Sequence, residues 1–199
     1  MYDVITNSVG STWKDLVTTV VTKGSSLASE GIEITDIRVV FKNNSKEIDS
    51  ILEKYADPVM IENMMKVFFV KKDNELGHSY ADLIRGPLGR DNFTDVVELL
   101  SEKNICKRAT LTLCGNGNGK VPCINVINFL IRDNKLDIYY FSRGQDVYKK
   151  FYADALCIAS IQNKVAEMLN IEVGIITGYI ASAHIYFEDM DKINEFIAS

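Results

Sequence analysis

Residues 122–142, PCINVINFLIRDNKLDIYYFS, contain two strand patterns that decide the fold class. Apolar and β-branched residues fill INVINFLI and LDIYYFS, and RDNK between them is a hairpin signal. A third strand pattern, ATLTLC at 109–114, comes shortly before. Strands grouped in this way, with helical patterns elsewhere, are typical of an α+β protein in which helices pack on a mixed, mostly antiparallel sheet.

The rest of the chain carries further patterns of both kinds. GIEITDIRVVFK (31–42) alternates as a strand does, and VGIITGYIASAHIYF (173–187) predicts a strand pair or one long bent strand. Apolar residues at helical spacing predict helices at 11–24, 45–56, 58–69, 92–104, 147–169 and 189–197. We expect the first helix to be capped by Ser11 or Thr12 and to stop at Gly24.

The composition is that of an ordinary globular protein, with 199 residues, 47% hydrophobic and 25% charged. We find no repeat and no linker rich in Pro, Gly and Ser, which predicts a single domain over residues 1–199. A net charge of −5 argues against general binding to nucleic acid, although a few cations in one cleft can still hold a phosphate. The sequence shows neither a signal-peptide pattern nor an apolar run long enough for a membrane span, so we expect a cytoplasmic protein.

The four cysteines, Cys106, Cys114, Cys123 and Cys157, form no CxxC pair, so we expect reduced thiols and neither a metal site nor a disulfide framework. The glycines of GNGNGK (115–120) fit neither phosphate-binding fingerprint, and no helix follows them. This segment is therefore predicted to be a turn between strands.

Cys123 directly follows Pro122 at the start of a strand pattern. Free cysteines are usually buried and inert, so Cys123 is either a small core residue or a nucleophile. The interpretation depends on motifs farther along the chain. These are Arg143 and Asp146 in SRGQD, Asp154 in FYADALCI, and His184 with Tyr186 in SAHIY.

In this order and spacing the motifs resemble those of the thymidylate synthase family. Its members carry PC at the nucleophile, an RSxD motif, a helix start containing Asn, and a final HxY; the resemblance runs without gaps from Cys123 to Tyr186. It implies that family's α+β fold, a homodimer joined sheet to sheet, and transfer of a one-carbon unit to C5 of a pyrimidine nucleoside monophosphate. The compact length is similar to that of the small archaeal members.

The resemblance also implies roles for individual residues. Cys123 would add to C6 of the ring, which makes C5 nucleophilic, and a nearby cation favours the thiolate that this step needs. Arg143 would supply that charge and bind the phosphate as a fork, with Asp146 in the same motif. Lys107 and Arg108 would complete the phosphate site of the partner subunit.

Four further residues acquire roles by the same resemblance. His184 and Tyr186, two apart on a strand, would point to one side and bind the sugar hydroxyl. Tyr80 would belong to a catalytic water network. Glu62 is the candidate for the family's proton-relaying glutamate, the alternative being an exposed helix residue.

The sequence departs from the family at the position that reads the base. Asp154 stands where uracil-reading members have Asn, as it does in the related deoxycytidylate hydroxymethylases. A carboxylate accepts from the amino group of cytosine, and a protonated carboxyl also donates to N3. A cytosine nucleotide is therefore favoured; the alternative is that Asp154 only caps a helix.

Other departures concern the phosphate and the one-carbon donor. Gly144 replaces the Ser of RSxD, and Ile124 stands where many members have His. Only 13 residues follow Tyr186, so we expect no closing segment over a folate. The donor is expected to be 5,10-methylenetetrahydrofolate or a related reduced pterin, including a methanopterin-type carrier.

Three functions remain open from the sequence. The favoured one is methylation or hydroxymethylation of dCMP or CMP. The second is conversion of dUMP to dTMP, with Asp154 tolerated or protonated. The third is a regulatory relative that binds a nucleotide without turnover.

Overall fold

A computed structural model describes residues 1–42, 49–70, 79–86, 91–103, 105–113 and 121–198. The strands of this part are β1 (Tyr2–Ile5), β2 (Ser25–Leu27), β3 (Gly31–Lys42), β4 (Thr110–Thr112), β5 (Ile124–Arg132), β6 (Lys135–Ser142), β7 (Gln145–Asp146) and β8 (Glu172–Tyr186). The helices are α1 (Val9–Lys23), α2 (Ser50–Tyr55), α3 (Pro58–Phe69), α4 (Tyr80–Arg85), α5 (Asn92–Glu102), α6 (Phe151–Leu169) and α7 (Met190–Ala198). Cys114 and the predicted turn at 115–120 lie outside the described residues.

The strands form one mixed sheet in the order β1-β3-β8-β6-β5-β4, with β2 beside β3 and β7 beside β8. The long β3–β8 pair and the β5–β6 pair are antiparallel, whereas β6 and β7 each run parallel to β8. Helices pack against this sheet, and the buried side chains of both form the hydrophobic core. The α+β prediction with a mixed sheet is confirmed.

The β5–β6 hairpin is the part of the fold that local sequence specifies best. Its two turn residues, Asp133 and Asn134, both have positive φ, 48° and 59°. Asp and Asn adopt this left-handed region more readily than most residues, and a turn with two such positions matches the twist of paired strands. The hairpin predicted at RDNK is therefore present.

The α1 and α6 helices begin at other residues than predicted. The cap of α1 is Ser8, whose hydroxyl accepts from the backbone N–H of Ser11 at 3.2 Å, so Ser11 is inside the helix; the stop at Gly24 is confirmed. α6 begins at Phe151 rather than at Val147. The backbone N–H of Val147 donates to His184 O at 3.0 Å, which holds this residue against the sheet.

A kink in β3 and β8 changes which residues of β8 face the core. β8 is one long strand, and Asp36 of β3 has a positive φ of 60° where the ladder between the two strands is interrupted. Before the kink Ile176, Gly178 and Ile180 are buried, and Thr177 between them is buried too; after it the buried residues are Ala183 and Ile185. The alternation is thereby reversed, and residues 182, 184 and 186 come to the partly exposed side.

Trp13 of α1 fixes the segment that leads into α6. Its indole N–H donates to Tyr148 O at 3.1 Å, and its ring centroid lies 4.3 Å from that of Tyr152 and 4.4 Å from that of Phe196. These contacts join α1, α6 and α7 around residues 148–152. Of the helices in the described ranges, none has the length and apolarity that a membrane crossing requires.

The packing of Gly178 gives a stability prediction. A Cβ at Gly178 would overlap the buried ring of Tyr140 on the adjacent strand, so we expect Gly178→Ala to lower the free energy of unfolding by about 1–3 kcal/mol. Urea denaturation would measure this change. Gly144→Ala is the control, because the nearest atom to its new Cβ, His184 Cε1, is 3.9 Å away. Equal stability of Gly178→Ala and the wild type would contradict the observed packing.

Candidate active site

Cys123 lies immediately before β5, where three neighbouring groups fix its backbone. Its carbonyl oxygen accepts from the backbone N–H of Arg143 at 2.9 Å and from Ser142 Oγ at 3.2 Å. The N–H of the next residue, Ile124, donates to the hydroxyl of Tyr80 at 3.1 Å. The Cys123 side chain is partly buried, at the point where β5, the end of β6 and α4 meet.

Tyr80 therefore lies next to Cys123, and its predicted role in a catalytic water network stays a prediction. It is buried, and its ring stacks on Phe68 of α3 with 4.3 Å between the centroids. Burial raises the pKa of the Tyr80 hydroxyl, and the charges of Asp154 and Cys123 raise it further. The phenol therefore stays protonated over the physiological pH range.

Arg143 is held against the loop that carries Cys123. Its Nη2 donates to Val121 O at 2.8 Å and its Nε to Pro122 O at 3.2 Å. Burial raises the pKa of the Cys123 thiol above its usual value, and the Arg143 charge lowers it. The charge of Arg143 acts in the expected direction, but burial outweighs it in this structure, so the thiol is the favoured form.

Asp154 lies in the first turn of α6 and is 7% exposed. Its Oδ2 accepts from Nε2 of Gln145 at 2.9 Å, whereas its buried Oδ1 has no hydrogen-bond partner within the described part of the chain. Burial raises the pKa of Asp154 to about 6, while the Gln145 hydrogen bond and the charge of Lys150 lower it. The N-cap of α6 is Lys150, so the interpretation of Asp154 as a helix cap is wrong.

The charge of Asp154 reaches the thiol. Asp154 raises the pKa of Cys123, and Lys150 lowers it. Tyr140, buried on β6, also has its pKa raised, first by burial and then by Asp154. The Asp154 carboxyl, whose Oδ1 has no hydrogen-bond partner among the described residues, thus lies near two tyrosines, a thiol and a lysine.

His184 and Tyr186 point to the same side of β8, as predicted. Their ring centroids are 5.3 Å apart in an edge-to-face arrangement. Burial raises the pKa of Tyr186, with smaller contributions that include the charge of Cys123, so the phenol and the thiol are close enough to interact electrostatically. Asp146 pairs with His184 along β7 and β8, and its Oδ1 accepts from the N–H of Lys149 at 2.9 Å.

Lys107 and Arg108 lie far from Cys123 of the same chain. Both are exposed just before β4, where Thr110 is opposite Asn128 of β5. Arg108 therefore lies beside the far end of β5, about seven residues along the strand from Cys123, which is somewhat more than ~20 Å at about 3.3 Å per residue. This placement leaves them available to another subunit.

Glu62 lies on the solvent side of α3. Its side chain is 65% exposed and forms an ion pair with Lys66 one turn later. The neighbouring α3 residue Met65 faces α6 instead, with its sulfur 3.8 Å from Cys157 Sγ. The relay role of Glu62 stays a prediction.

Sequence reasoning missed Gln145, Lys150 and Tyr140. Gln145 stands within the SRGQD motif, but its contact with Asp154 exists only because β7 lies beside the first turn of α6. Tyr140 lies in the strand pattern LDIYYFS, which gave no indication that its side chain faces Asp154. For Lys150 the sequence offered no signal.

Comparison with known proteins shows the family to which the chain belongs. The profile of the family described as thymidylate synthase matches residues 13–199. The chain belongs to the thymidylate synthase family. This is a family of methyltransferases that bind a pyrimidine nucleotide and a folate-type one-carbon cofactor.

Archaeal relatives of the thymidylate synthase family match at low identity, and their names assign them provisionally as thymidylate synthases. The chain is 26% identical over 202 residues to one from Methanothermobacter marburgensis, covering 94% of the chain and 84% of the relative. It is 25% identical over 195 residues to one from Methanopyrus kandleri, covering 94% and 93%. A match to the relative from Methanothermobacter thermautotrophicus, 28% identical over 124 residues, covers 60% of the chain and 56% of that relative.

The contact between Arg143 and the Cys123 loop gives a prediction about thiol reactivity. Because the Arg143 charge lowers the pKa of Cys123, we expect Arg143→Gln to raise it and to slow alkylation of Cys123 by iodoacetamide at pH 8. The rate is measured on the Cys123 peptide by mass spectrometry across pH. Arg132→Gln, at the other end of β5, is the control and should leave the rate unchanged. An unchanged rate in Arg143→Gln would contradict the electrostatic coupling.

Proposed function

We propose that the protein transfers a one-carbon unit to C5 of a cytosine nucleoside monophosphate through a covalent adduct between Cys123 and C6. The observation that supports this most directly is the buried, half-satisfied carboxyl of Asp154, whose charge reaches the Cys123 thiol. Such a carboxyl can hydrogen-bond to N3 and the amino group of cytosine. Because it lies close to the thiol, one bound pyrimidine ring could contact both Asp154 and Cys123.

The covalent step follows from the chemistry of the pyrimidine. The Cys123 thiolate adds to C6, and the electron pair of the C5–C6 double bond moves to C5, which becomes nucleophilic. C5 forms a bond to the methylene carbon of the carrier. Loss of the C5 proton and cleavage of the bond between that carbon and the carrier's amine nitrogen then leave an exocyclic methylene group on the ring, and the carrier departs as the amine. The new exocyclic carbon then accepts hydroxide from water or a hydride, and the C5–C6 double bond re-forms as Cys123 Sγ leaves. The first product is hydroxymethylated and the second methylated.

The Cys123 thiolate needs a nearby positive charge, and Arg143 is our candidate for it. Burial favours the neutral thiol of Cys123, so addition needs a partner that stabilises the thiolate. We assign this stabilisation, and binding of the phosphate through the remaining guanidinium N–H groups, to Arg143; the sugar hydroxyl is assigned to His184 and Tyr186. Gly144 offers no hydroxyl to the phosphate, although a Cβ at that position would fit.

Asp154 distinguishes the two bases by hydrogen-bond direction. A protonated carboxyl donates to N3 of cytosine and accepts from its amino group, and the pKa of about 6 makes this form accessible near neutral pH. Uracil presents the reverse pattern, N3–H and a carbonyl oxygen at C4. The carboxylate can accept from N3–H, but its second oxygen then repels the uracil oxygen.

The positive charge of Lys150 beside Cys123 and Asp154 suits an anionic one-carbon carrier. A folate-type or methanopterin-type carrier supplies the methylene carbon, and the hydride where the product is methylated. Both carriers end in acidic groups, and Lys150, next to Cys123 and Asp154, is the described cation best placed to attract one. Arg143 remains assigned to the nucleotide phosphate.

Methylation of dUMP is the second candidate. The names of the archaeal relatives favour it, as does the thymidylate synthase of Mycoplasma mobile, 26% identical over 131 residues. Titration of the purified protein with dCMP and dUMP separates the two proposals. Tighter binding of dUMP by tenfold or more, about 1.4 kcal/mol, contradicts the cytosine proposal.

Turnover is tested separately from binding. Tritium released from C5-labelled nucleotide in the presence of a methylene-carrying reduced pterin detects the reaction, and mass spectrometry of the product distinguishes a methyl from a hydroxymethyl group. Nucleotide binding without release, for both nucleotides and both classes of carrier, would contradict the enzymatic proposal and favour a binding protein.

The role of Asp154 gives a prediction about specificity. The amide of Asn donates to the uracil C4 oxygen and accepts from N3–H, so we expect Asp154→Asn to shift the ratio of dCMP to dUMP affinity towards dUMP by at least about tenfold. Calorimetric titration measures both affinities. Asp137→Asn is the matched control, because its carboxylate binds the backbone N–H of Ile175 at the other end of β6. A ratio unchanged in Asp154→Asn would remove Asp154 from base recognition.

A homodimer with shared sites is also proposed. On the side of the sheet away from the helices, the rings of Phe141 and Tyr179 are exposed, 41% and 39%. Burying this face against a second copy would cover them. It would also give Arg108, somewhat more than ~20 Å along the strand from its own Cys123, a site to complete in the partner.

Mixed dimers test this sharing. If each site uses Cys123 of one subunit and Arg108 of the other, Cys123→Ser and Arg108→Ala proteins are each inactive, yet a mixed dimer contains one intact site. Refolding equal amounts together should restore about a quarter of wild-type activity, because about half of the dimers are mixed and each mixed dimer has one intact site of its two. Lys103→Ala is the control for Arg108→Ala. Refolding it with Cys123→Ser should give no more activity than the same amount of Lys103→Ala refolded alone, because mixing creates no additional intact site. No gain from mixing would contradict a shared site.

A further inference from the structure

Gln145 determines which oxygen of Asp154 can carry a proton. Gln145 is 2% exposed, and its Nε2 donates to Asp154 Oδ2 at 2.9 Å. In a protonated carboxyl the carbonyl oxygen is a stronger acceptor than the hydroxyl oxygen, so the Gln145 hydrogen bond is strongest when Oδ2 is the carbonyl oxygen. When Asp154 is protonated, the proton is therefore held on Oδ1, the buried oxygen without a partner among the described residues.

A fixed proton position matters for reading the base. In the proposed binding pose N3 of the ring faces Oδ1 and the C4 substituent faces Oδ2. With the proton on Oδ1, the acid presents one donor to N3 and, on Oδ2, a remaining acceptor lone pair to the amino group of cytosine. Binding of uracil by the protonated acid would need the opposite placement, with the proton on the oxygen facing the C4 carbonyl. The Gln145 amide opposes that placement.

The geometry points to Gln145 as a specificity-determining positioning residue, which acts through Asp154 to favour cytosine over uracil. This inference rests on the proposed cytosine function and adds the source of its discrimination. Without the Gln145 amide, either oxygen of Asp154 could carry the proton. The site would then accommodate both bases by moving one hydrogen.

Gln145 also sets the pH range in which Asp154 is protonated. Its hydrogen bond favours the carboxylate and lowers the pKa of Asp154, against the dominant effect of burial. The other titratable groups around this carboxyl come from several elements: Lys150, Asp146, Tyr80, Tyr140, Cys123 and Cys157. Loss of the Gln145 bond should therefore raise the pKa of Asp154 while these groups remain.

The effect on dCMP binding has a definite sign. If the bound form of Asp154 is protonated, binding above pH 6 takes up a proton, so the dCMP affinity falls as the pH rises beyond the pKa of free Asp154. Raising that pKa moves the start of the decline to higher pH. A residue that only supported the fold would not shift this profile.

Gln145→Met removes the amide with little change of shape, and Gln162→Met is its matched control. Gln162 is equally buried, but its Nε2 donates to Leu136 O at 2.6 Å, away from Asp154. Dissociation constants for dCMP and dUMP are measured between pH 5.5 and 8. In Gln145→Met we expect the preference for dCMP to fall at least tenfold and its pH profile to move upward, with neither change in Gln162→Met.

Gln145→Glu provides a second variant should the methionine variant not fold. The protonated Glu still donates to Asp154 Oδ2, so the preference for dCMP should persist at pH 5.5 and decline at pH 8, where the donor is lost. An unchanged preference and pH profile in the Gln145 variants, in a protein whose wild type prefers dCMP, would overturn the inference alone. A wild type that prefers dUMP overturns the proposed function and the inference with it.

Discussion

The site depends on the burial of two acidic groups, the Cys123 thiol and the Asp154 carboxyl, in one small volume. Burial raises both pKa values, so the protein without nucleotide favours a neutral thiol and makes a neutral carboxyl accessible. The thiol needs a neighbouring positive charge to react as the thiolate, and the protonated carboxyl needs an acceptor for its hydrogen. Arg143 and Lys150 provide positive charge for the thiolate, and a pyrimidine ring would provide the missing partner for Asp154 Oδ1.

The fold explains why these groups meet. The Cys123 carbonyl is tied to the end of β6, and Asp154 is placed by the start of α6, which the Trp13 contacts fix against α1 and α7. The kink at Asp36 turns His184 and Tyr186 away from the core side of β8. Without it the alternation of β8 would continue, and both side chains would be directed into the hydrophobic core.

Local sequence predicted the elements whose limits depend on local interactions. The bounds of β3 and α3 agree with their patterns, and the β5–β6 turn uses residues that tolerate positive φ. The predicted start of α6 was wrong because the backbone N–H of Val147 donates to the carbonyl oxygen of His184, 37 positions later in the chain. A contact between distant segments leaves no periodic signal in either of them.

The same distinction applies to the site. Spacing and resemblance predicted site roles for Cys123, Arg143, Asp154 and the HxY pair, which stay predictions; the structure shows Arg143 beside the Cys123 loop. The sequence could not show that burial outweighs the Arg143 charge at the thiol, because burial is a property of the packed protein. Nor could it show that Gln145 and Asp154 are hydrogen-bonded across β7 and α6.

The central claim is that Cys123 Sγ bonds to C6 of a cytosine nucleotide, and trapping the adduct tests it most directly. A fluorine at C5 cannot depart as a proton, so 5-fluoro-dCMP with a methylene-carrying reduced pterin should arrest the reaction with the ring still attached. Mass spectrometry of the digested protein should find the added mass on the peptide that contains Cys123, and none in Cys123→Ser. Absence of that adduct at saturating 5-fluoro-dCMP, or its presence on another residue, would contradict the account.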